Sequence, residues 1–249
     1  MSVNPDVLAA LRTVSTATIT TVLFKKGIRR SWLQGPKPLK DGQKRVAGPA
    51  FTLRFIPARE DVTPETWAKP VSTRVAIEAM PAGVVVVVDA MGITGAGTFG
   101  DILATRMVKR GVAALVTDGA VRDKVGMLDS GLPVWSAGVT APAPVHELAF
   151  VGWQEPIGCG GVAIFPHDVI VADDDGAVVI PAALVEEVAK LGPEHDRFET
   201  WVIREIEKGA TLPGLNPPNE ATKARYEADQ QKGRVKKSAA GTAAENSSL

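Results

Sequence analysis

The chain holds one cysteine, three histidines and one tyrosine in 249 residues. A lone Cys159 excludes an internal disulfide, and so few Cys and His residues exclude a zinc finger or a thiolate–imidazole cluster. A reducing, cytoplasmic setting is therefore expected. Excess charge is missing too: Lys plus Arg and Asp plus Glu number 28 each. No basic block precedes the final tail, so the electrostatic footprint of a nucleic-acid partner is absent. Apolar runs such as Val84 to Val88 are far shorter than a membrane span, and MSVNPDVLAALR lacks the basic-then-apolar order of a signal peptide. The expectation is a soluble protein with no membrane and no nucleic-acid partner.

What is present is a 45% hydrophobic chain, enough for one substantial core. Asp6–Arg12 and Ser15–Phe24 have the pattern of short helices, the second opening on a capping Ser. The stretch 27–44, rich in Gly, Pro and cations, is expected to be a loop ahead of a strand from Ala50 to Ile56, and 72–80 a helix. Val84–Val88 is a β-branched run suited to a strand covered on both faces. Asp101–Arg110 then carries its apolar residues on one helical face and ends at Gly111, and Val112–Thr117 is a second buried strand. Short strands follow at 132–136 and 162–164. VIVADDDGAVVIP places two apolar arms around DDDG as in a hairpin, and a helix is expected over 182–208. These elements make one α/β domain over residues 1–210, including the C-terminal helix. An extended tail covers 211–249, its end lacking apolar periodicity as a disordered segment would.

Between the first two buried strands, GAGTFG matches the dinucleotide pattern G-x-G-x-x-G, and Asp118 lies where a ribose-binding acid is expected. Two features oppose that reading. DAMGIT separates Val88 from Gly95, so the first glycine cannot make the tight turn directly off the strand. Asp89, Asp101, Asp118 and Asp123 also fall on the same rim, where they would repel a pyrophosphate and welcome a metal cation.

Residues 102 to 121, twenty positions, separate Asp101 from Arg122 and Asp123. That interval is one helix plus one strand, so both loops return to the same end of a parallel pair and the three side chains can converge. Carboxylates are hard oxygen ligands for Mg²⁺ or Mn²⁺. A planar Arg can grip a carboxylate or keto oxygen in a fork. Backbone amides at Gly97, Thr98, Phe99, Gly100, Asp101, Ile102 and Leu103, opening a helix, form a cradle for a substrate carboxylate. Together with Arg122 they describe a site for a small 2-oxo acid. Each residue also has a plainer role: Asp101 as a helix N-terminal charge, Arg122–Asp123 as a loop ion pair, Asp89 and Asp118 as strand-end turn residues. Asp173–Asp175 lack the full spacing of a calcium loop, and Cys159, amid GCGG, suits a packed small residue.

The stretches VVVVVDAMG, GTFGDILA, VAALVTDGAVRD, LPVWSAG and DDDGAVVIP resemble the superfamily containing regulator of ribonuclease activity A and the 4-hydroxy-4-methyl-2-oxoglutarate (4-carboxy-4-hydroxy-2-oxoadipate) aldolases. The resemblance covers roughly residues 45–181, and its most specific element is the Asp, twenty residues, Arg-Asp signature met by residues 101, 122 and 123. It implies a swivelling α/β/β/α sandwich of the RraA-like type with a C-terminal helical extension. The implied assembly is a homotrimer or a dimer of trimers with sites between subunits.

The implied activity is a class II, divalent-metal (Mg or Mn) pyruvate aldolase that also decarboxylates oxaloacetate. Asp123 would hold the metal, Arg122 would contact the oxygen that becomes an enolate, and Asp101 would position metal-bound water. A Glu from the neighbouring subunit would complete the site, with Glu199 in RFETWVIREIEKG as the candidate and Glu205 as its rival. Neither motif loop carries a lysine, in keeping with a mechanism without a Schiff base. The same scaffold also implies two other possibilities: a non-catalytic regulator binding a ribonuclease or helicase, and a sugar-acid lyase or dehydratase. Two departures stand out. Where the family often has Pro-Gly-Asp this chain has PAG (81–83) and PHD (166–168), and the loop 27–44, with 59–70, is expected to cover the pocket and alter substrate choice.

Overall fold

Alternation within five consecutive valines sets the architecture. Val84, Val86 and Val88 enter a core with Ile77, Met80, Ala104, Met107 and Met127. Val85 and Val87 enter another with Ile157, Ile164, Ile170, Ala177 and Val179. A strand buried on both faces must be covered on both.

The computed structural model describes residues 3–61 and 70–231. Its elements begin with α1 (Pro5–Leu11), α2 (Thr16–Lys25), β1 (Lys37–Pro38), β2 (Val46–Pro57) and α3 (Thr73–Ala79). The middle of the chain forms β3 (Val85–Asp89), α4 (Asp101–Lys109), β4 (Ala114–Val121), α5 (Lys124–Asp129) and β5 (Val134–Val139). Then come β6 (Leu148–Trp153), β7 (Ile157–Cys159), β8 (Val162–Ile164), β9 (Val169–Asp173), β10 (Gly176–Ile180) and α6 (Val185–Glu207). Ser15 caps α2 as the sequence predicts, its Oγ accepting from Thr18 N at 3.0 Å, and Ser72 likewise caps α3, its Oγ accepting from Val75 N at 3.3 Å.

The strands form one eight-stranded sheet in the order β1-β5-β4-β3-β2-β9-β10, with β6 also paired to β2, and β7–β8 form a separate pair. β2 through β5 run parallel, whereas β9 and β6 meet β2 antiparallel. β2 serves two layers: Val46–Pro49 pair with β9, and Ala50–Arg54 pair with β3. Gly48 sits where the crossing is tightest, since a Cβ there would lie 2.5 Å from the Gly83 carbonyl oxygen. The outer faces of β9 and β10 (Val169, Val171, Val178, Ile180) pack on α1, α2 and the start of α6 through Leu11, Ile19, Leu23, Val185 and Val188. The layers are thus helix, sheet, sheet, helix, the mixed α/β sandwich with a C-terminal helix that the sequence anticipates.

The chain divides into two compact units, Met1–Pro193 and Glu194–Leu249. In the second unit Phe198, Trp201 and Val202 of α6 form a small core with Leu215 and Tyr226. Residues beyond 210 therefore contribute apolar groups of their own, and 220–231 are helical. The rest of the tail expected to be disordered, 232–249, lies outside the described residues, as do 62–69.

β1, α5, β6 and β7 are absent from the sequence reading. Each is six residues or fewer, too short for periodicity to register. Among the described residues no single helix is long and apolar enough to cross a membrane.

Candidate active site

The site forms where the glycine-rich segment after β3 is stitched along the end of β4. Gly97 N donates to Pro142 O at 2.9 Å, Thr98 donates to Ala120 O through both N (2.8 Å) and Oγ1 (2.9 Å), and Arg122 N donates to Phe99 O at 2.9 Å. This lacing delivers Asp101, at the first turn of α4, to the loop that carries Arg122 and Asp123. Contacts are close enough to require glycine. A Cβ on Gly97 would lie 2.9 Å from Arg122 Cβ, one on Gly100 2.5 Å from Asp123 Oδ2, and one on Gly126 2.6 Å from Asp101 Oδ2. The last contact seats the Asp101 carboxylate against α5, so the starts of α4 and α5 share one corner.

Asp123 adopts φ 55°, a left-handed conformation unusual for a residue other than glycine. Such strain often marks functional positions. Arg122 Nε donates to Asp123 Oδ2 at 3.0 Å, with the two side chains 36% and 41% exposed. Asp101 Oδ1 accepts from Ile102 N at 2.7 Å. Gly100 caps α4 without a side-chain hydrogen bond, so the electropositive end of that helix opens where a carboxylate could bind.

A cavity of about 290 Å³ lies over this corner. Its lining includes the predicted Gly97, Thr98, Gly100, Asp101, Ile102, Leu103, Arg122 and Asp123. Phe99 is absent from that lining: its ring is buried in the core beside Phe55, and its carbonyl accepts from Arg122 N. Sequence reasoning misses the remaining walls. Phe55, Leu148 and Phe150 supply an apolar side, and Ser72, Thr73 and Arg74, entering α3, supply a polar one that brings a second cation. The capping Ser72 marks a helix start in the sequence, but only the packing shows that this start faces the site.

The loop 27–44 does not cover this cavity. It runs along other strands, with Leu33 N donating to Ala177 O, Gln34 N to Gly160 O, and Lys37 opposite Ser136 in β5. Glu199 and Glu205 both lie in the second compact unit. Glu199 Oε1 is 3.3 Å from His195 Nε2. Glu205 is buried and engaged by Lys208 and Arg225.

Asp89 and Asp118 act as staples. Asp118 accepts from Ala90 N at 2.8 Å and Gly160 N at 3.0 Å; Asp89 accepts from Met91 N at 3.0 Å and Gly158 N at 3.2 Å. They fasten β7 to the strand ends. Burial raises the Asp118 pKa from its ordinary value and pushes the Cys159 thiol well above its own. Asp173 accepts from Thr16 N, Thr16 Oγ1, Arg45 Nε and Asp175 N, which accounts for the DDDG turn without calcium.

Among the described residues no three His, Cys, Asp or Glu side chains group to hold a metal. Among the described residues the acidic donors lining the cavity are the two carboxylates Asp101 and Asp123. That set fits Mg²⁺ or Mn²⁺, which complete their shells with water, and does not fit zinc, which favours imidazole and thiolate.

A family model described as RraA-like (Aldolase/RraA) matches residues 16–179. A Halalkalibacterium halodurans protein named "Putative 4-hydroxy-4-methyl-2-oxoglutarate aldolase" is 31% identical over 183 residues, 74% of this chain and 80% of that protein. Protein DlpA of Legionella pneumophila is 29% identical over 208 residues, 84% of this chain, and this chain spans only 33% of its length. Among solved structures, RraAS2 of Streptomyces coelicolor, described as an unusual member of the RNase ES inhibitor RraA protein family, superposes with TM-score 0.72 at 37% identity. It covers 81% of this chain and 97% of its own. An uncharacterized Pseudomonas syringae protein superposes with TM-score 0.74 at 25% identity, covering 87% and 99%.

Proposed function

The chain belongs to the RraA-like, Aldolase/RraA family, and from that premise we propose that it is a carbon–carbon lyase. It would cleave a 4-hydroxy-2-oxo acid such as 4-hydroxy-4-methyl-2-oxoglutarate to release pyruvate, with oxaloacetate decarboxylation as a second activity. The observation that carries this reading is the convergence of Asp101, Arg122 and Asp123 on the uncapped start of α4.

In this reading the backbone N–H groups opening α4 bind the substrate's first carboxylate, and the Arg122 guanidinium faces its 2-oxo oxygen. Loss of the 4-hydroxyl proton to a water held by Asp101 makes that oxygen a carbonyl and breaks the C3–C4 bond. The electron pair passes to the 2-oxo oxygen, and Arg122 stabilises the resulting enolate charge. Protonation at C3 yields pyruvate. Asp123 and Asp101 are the residues that would hold Mg²⁺ or Mn²⁺, which when bound supplies Lewis-acid polarisation of the 2-oxo group. Asp123 is itself oriented by Arg122 and by its left-handed backbone.

We place the protein in the cytoplasm, where its buried Cys159 would remain a thiol, and read its assembly as a homotrimer or a pair of trimers. Ile102 on the cavity wall and Val125 on α5, 80% and 74% exposed, are the apolar groups a neighbouring subunit would cover. Light scattering in solution tests the assembly.

The activity is tested by incubating the protein with oxaloacetate or 4-hydroxy-4-methyl-2-oxoglutarate, with Mg²⁺ or Mn²⁺ and then EDTA, and coupling pyruvate to lactate dehydrogenase. Metal-dependent pyruvate supports the lyase. A second reading, a non-catalytic regulator of a ribonuclease, draws on the likeness to RraAS2 at 37% identity; tight, metal-independent binding of a ribonuclease, with no pyruvate formed, would favour it.

A further inference from the structure

Residues 25–45 hold eight cations and one acid, Asp41, in a chain with no net charge overall. Spaced along a loop they make no block in the sequence, yet the fold gathers three of them around one indole. Arg29, Arg30, Gln34, Gly160 and Gly161 line a hollow of about 420 Å³ beside Trp32, with no acidic side chain among its described walls. Lys37 Nζ stands over the Trp32 ring at 5.5 Å. Among the described residues no ion pair engages Arg29 or Arg30. We propose that this hollow is a second ligand site, for a nucleoside diphosphate. It shares no lining residue with the cavity at Asp101 and Asp123, and it does not rest on the lyase reading.

The walls are preformed. Ser31 O accepts from Val179 N at 2.8 Å, and Leu33 N donates to Ala177 O at 2.9 Å and Gln34 N to Gly160 O at 3.0 Å, so the segment is pinned between β10 and the β7–β8 turn. Trp32 Nε1 donates to Asp175 O at 3.3 Å, and a Cβ on Gly176 would lie 3.0 Å from that nitrogen. The indole is thus held by its edge while the residue stays 39% exposed. Gly160 and Gly161 turn with φ 56° and 73°, and a Cβ on Gly161 would meet nothing within 4 Å, which leaves the backbone of the turn open to a ligand. Two guanidiniums with no carboxylate beside them suit a phosphate group, which each takes in a fork. Direction follows from sign. A neighbouring hollow of about 440 Å³ shares Arg29, Ser31 and Trp32 with the first but adds Thr16 and Asp175. The Asp175 carboxylate repels phosphate and accepts from hydroxyls such as those of a ribose. The phosphates therefore lie toward Arg30 and the glycine turn, the ribose toward Asp175, and the base on the indole that borders both hollows. Trp32 is the one aromatic ring lining them, which suits a single nucleotide; a nucleic-acid strand is held by successive stacking platforms.

The test is calorimetric titration of the full chain with ADP, adenosine, inorganic phosphate and a short oligouridylate, in EDTA so that no metal bridges a ligand to Asp101 and Asp123. ADP is expected to bind about tenfold or more tightly than phosphate or adenosine alone, because it engages the arginines and the indole together. Arg29→Gln and Arg30→Gln, at exposed positions, should each weaken ADP about tenfold, the scale of one partly exposed charge-assisted hydrogen bond. Trp32→Leu should weaken ADP about tenfold through lost stacking and leave phosphate binding unchanged. Arg122→Met, in the other cavity, should leave ADP binding as in the wild type. Thermal melts accompany each variant, and if Trp32→Leu proves unstable the two arginine variants carry the test. A wild type that does not bind ADP, or binds phosphate as tightly, overturns the proposal. So does ADP affinity that survives both arginine substitutions or is lost in Arg122→Met. An oligouridylate that binds about tenfold more tightly than ADP overturns it in favour of single-stranded RNA.

Discussion

Arg122 Nε donates to the carboxylate of its own neighbour, Asp123, at 3.0 Å, across a step where Asp123 is left-handed. Half-exposed pairs of this kind contribute little to stability, so the arrangement matters for where it holds two charges. Arg122→Lys is therefore expected to leave the melting temperature within a few degrees of wild type. Its kcat/KM for pyruvate release should fall about 100-fold or more, because a point charge replaces the fork. Steady-state kinetics beside a thermal melt checks both; retained activity would remove Arg122 from the mechanism.

Gly100 is the narrowest gap behind that pair. In Gly100→Ala the new methyl would stand 2.5 Å from Asp123 Oδ2 and 3.1 Å from Arg122 Cγ, contacts that the side-chain ends can relieve only by moving. Mn²⁺ affinity and kcat/KM should each drop about tenfold, the effect of a small misplacement at a reacting centre, with the fold intact. Gly158→Ala, whose Cβ meets nothing within 4 Å, is the control, and an equal loss in both variants would point to a general effect.

Stability should respond to pH through Asp118. Burial raises its folded-state pKa above the ordinary aspartate value that the unfolded chain keeps, about 3.9, so between these two values the folded protein binds more protons than the unfolded chain. The favourable contribution is complete below the unfolded-state value and is lost as pH rises through the raised one. Asp118→Ala removes this linkage and leaves Ala90 N and Gly160 N without their acceptor, destabilising by about 1–3 kcal/mol. Urea titrations should show the gap between wild type and variant widening as pH falls; a gap that narrows contradicts the sign.

His167 occupies φ 79° in the PHD turn, a conformation that glycine adopts without steric cost. His167→Gly is expected to stabilise the protein by about 1 kcal/mol, relief of left-handed strain outweighing the added freedom of the unfolded chain. An increased urea midpoint at unchanged slope is the signature. Asp168, whose carboxylate accepts from Phe165 N and Ala182 N, keeps the turn in place in either variant.

Local chemistry explains which features were legible in the sequence. The valine run, the glycine stop after α4 and the serine caps each act within a few residues, so their elements stand within a residue or two of expectation. The convergence of Asp101 with Arg122 and Asp123 follows from the geometry of one strand–helix–strand unit. The α/β/β/α layering came from the family resemblance, because nothing in the spacing says that β2 changes partners midway. The Ser72–Arg74 wall was hidden for a similar reason. It meets the site only after β6, some seventy residues later, pairs with the far half of β2. The burial of the Phe99 ring is a matter of packing that the glycine pattern around it does not encode.

β2 takes its first half from one pairing and its second from another, with Pro49 facing β9 and Ala50 facing β3. Because side chains alternate along a strand, one residue gained or lost at that junction would invert every inward group on one side relative to the other. The strand is in effect a ruler shared by two walls, and its graduations cannot be recut. A change of chain length that keeps both walls in register must therefore fall outside Val46–Arg54.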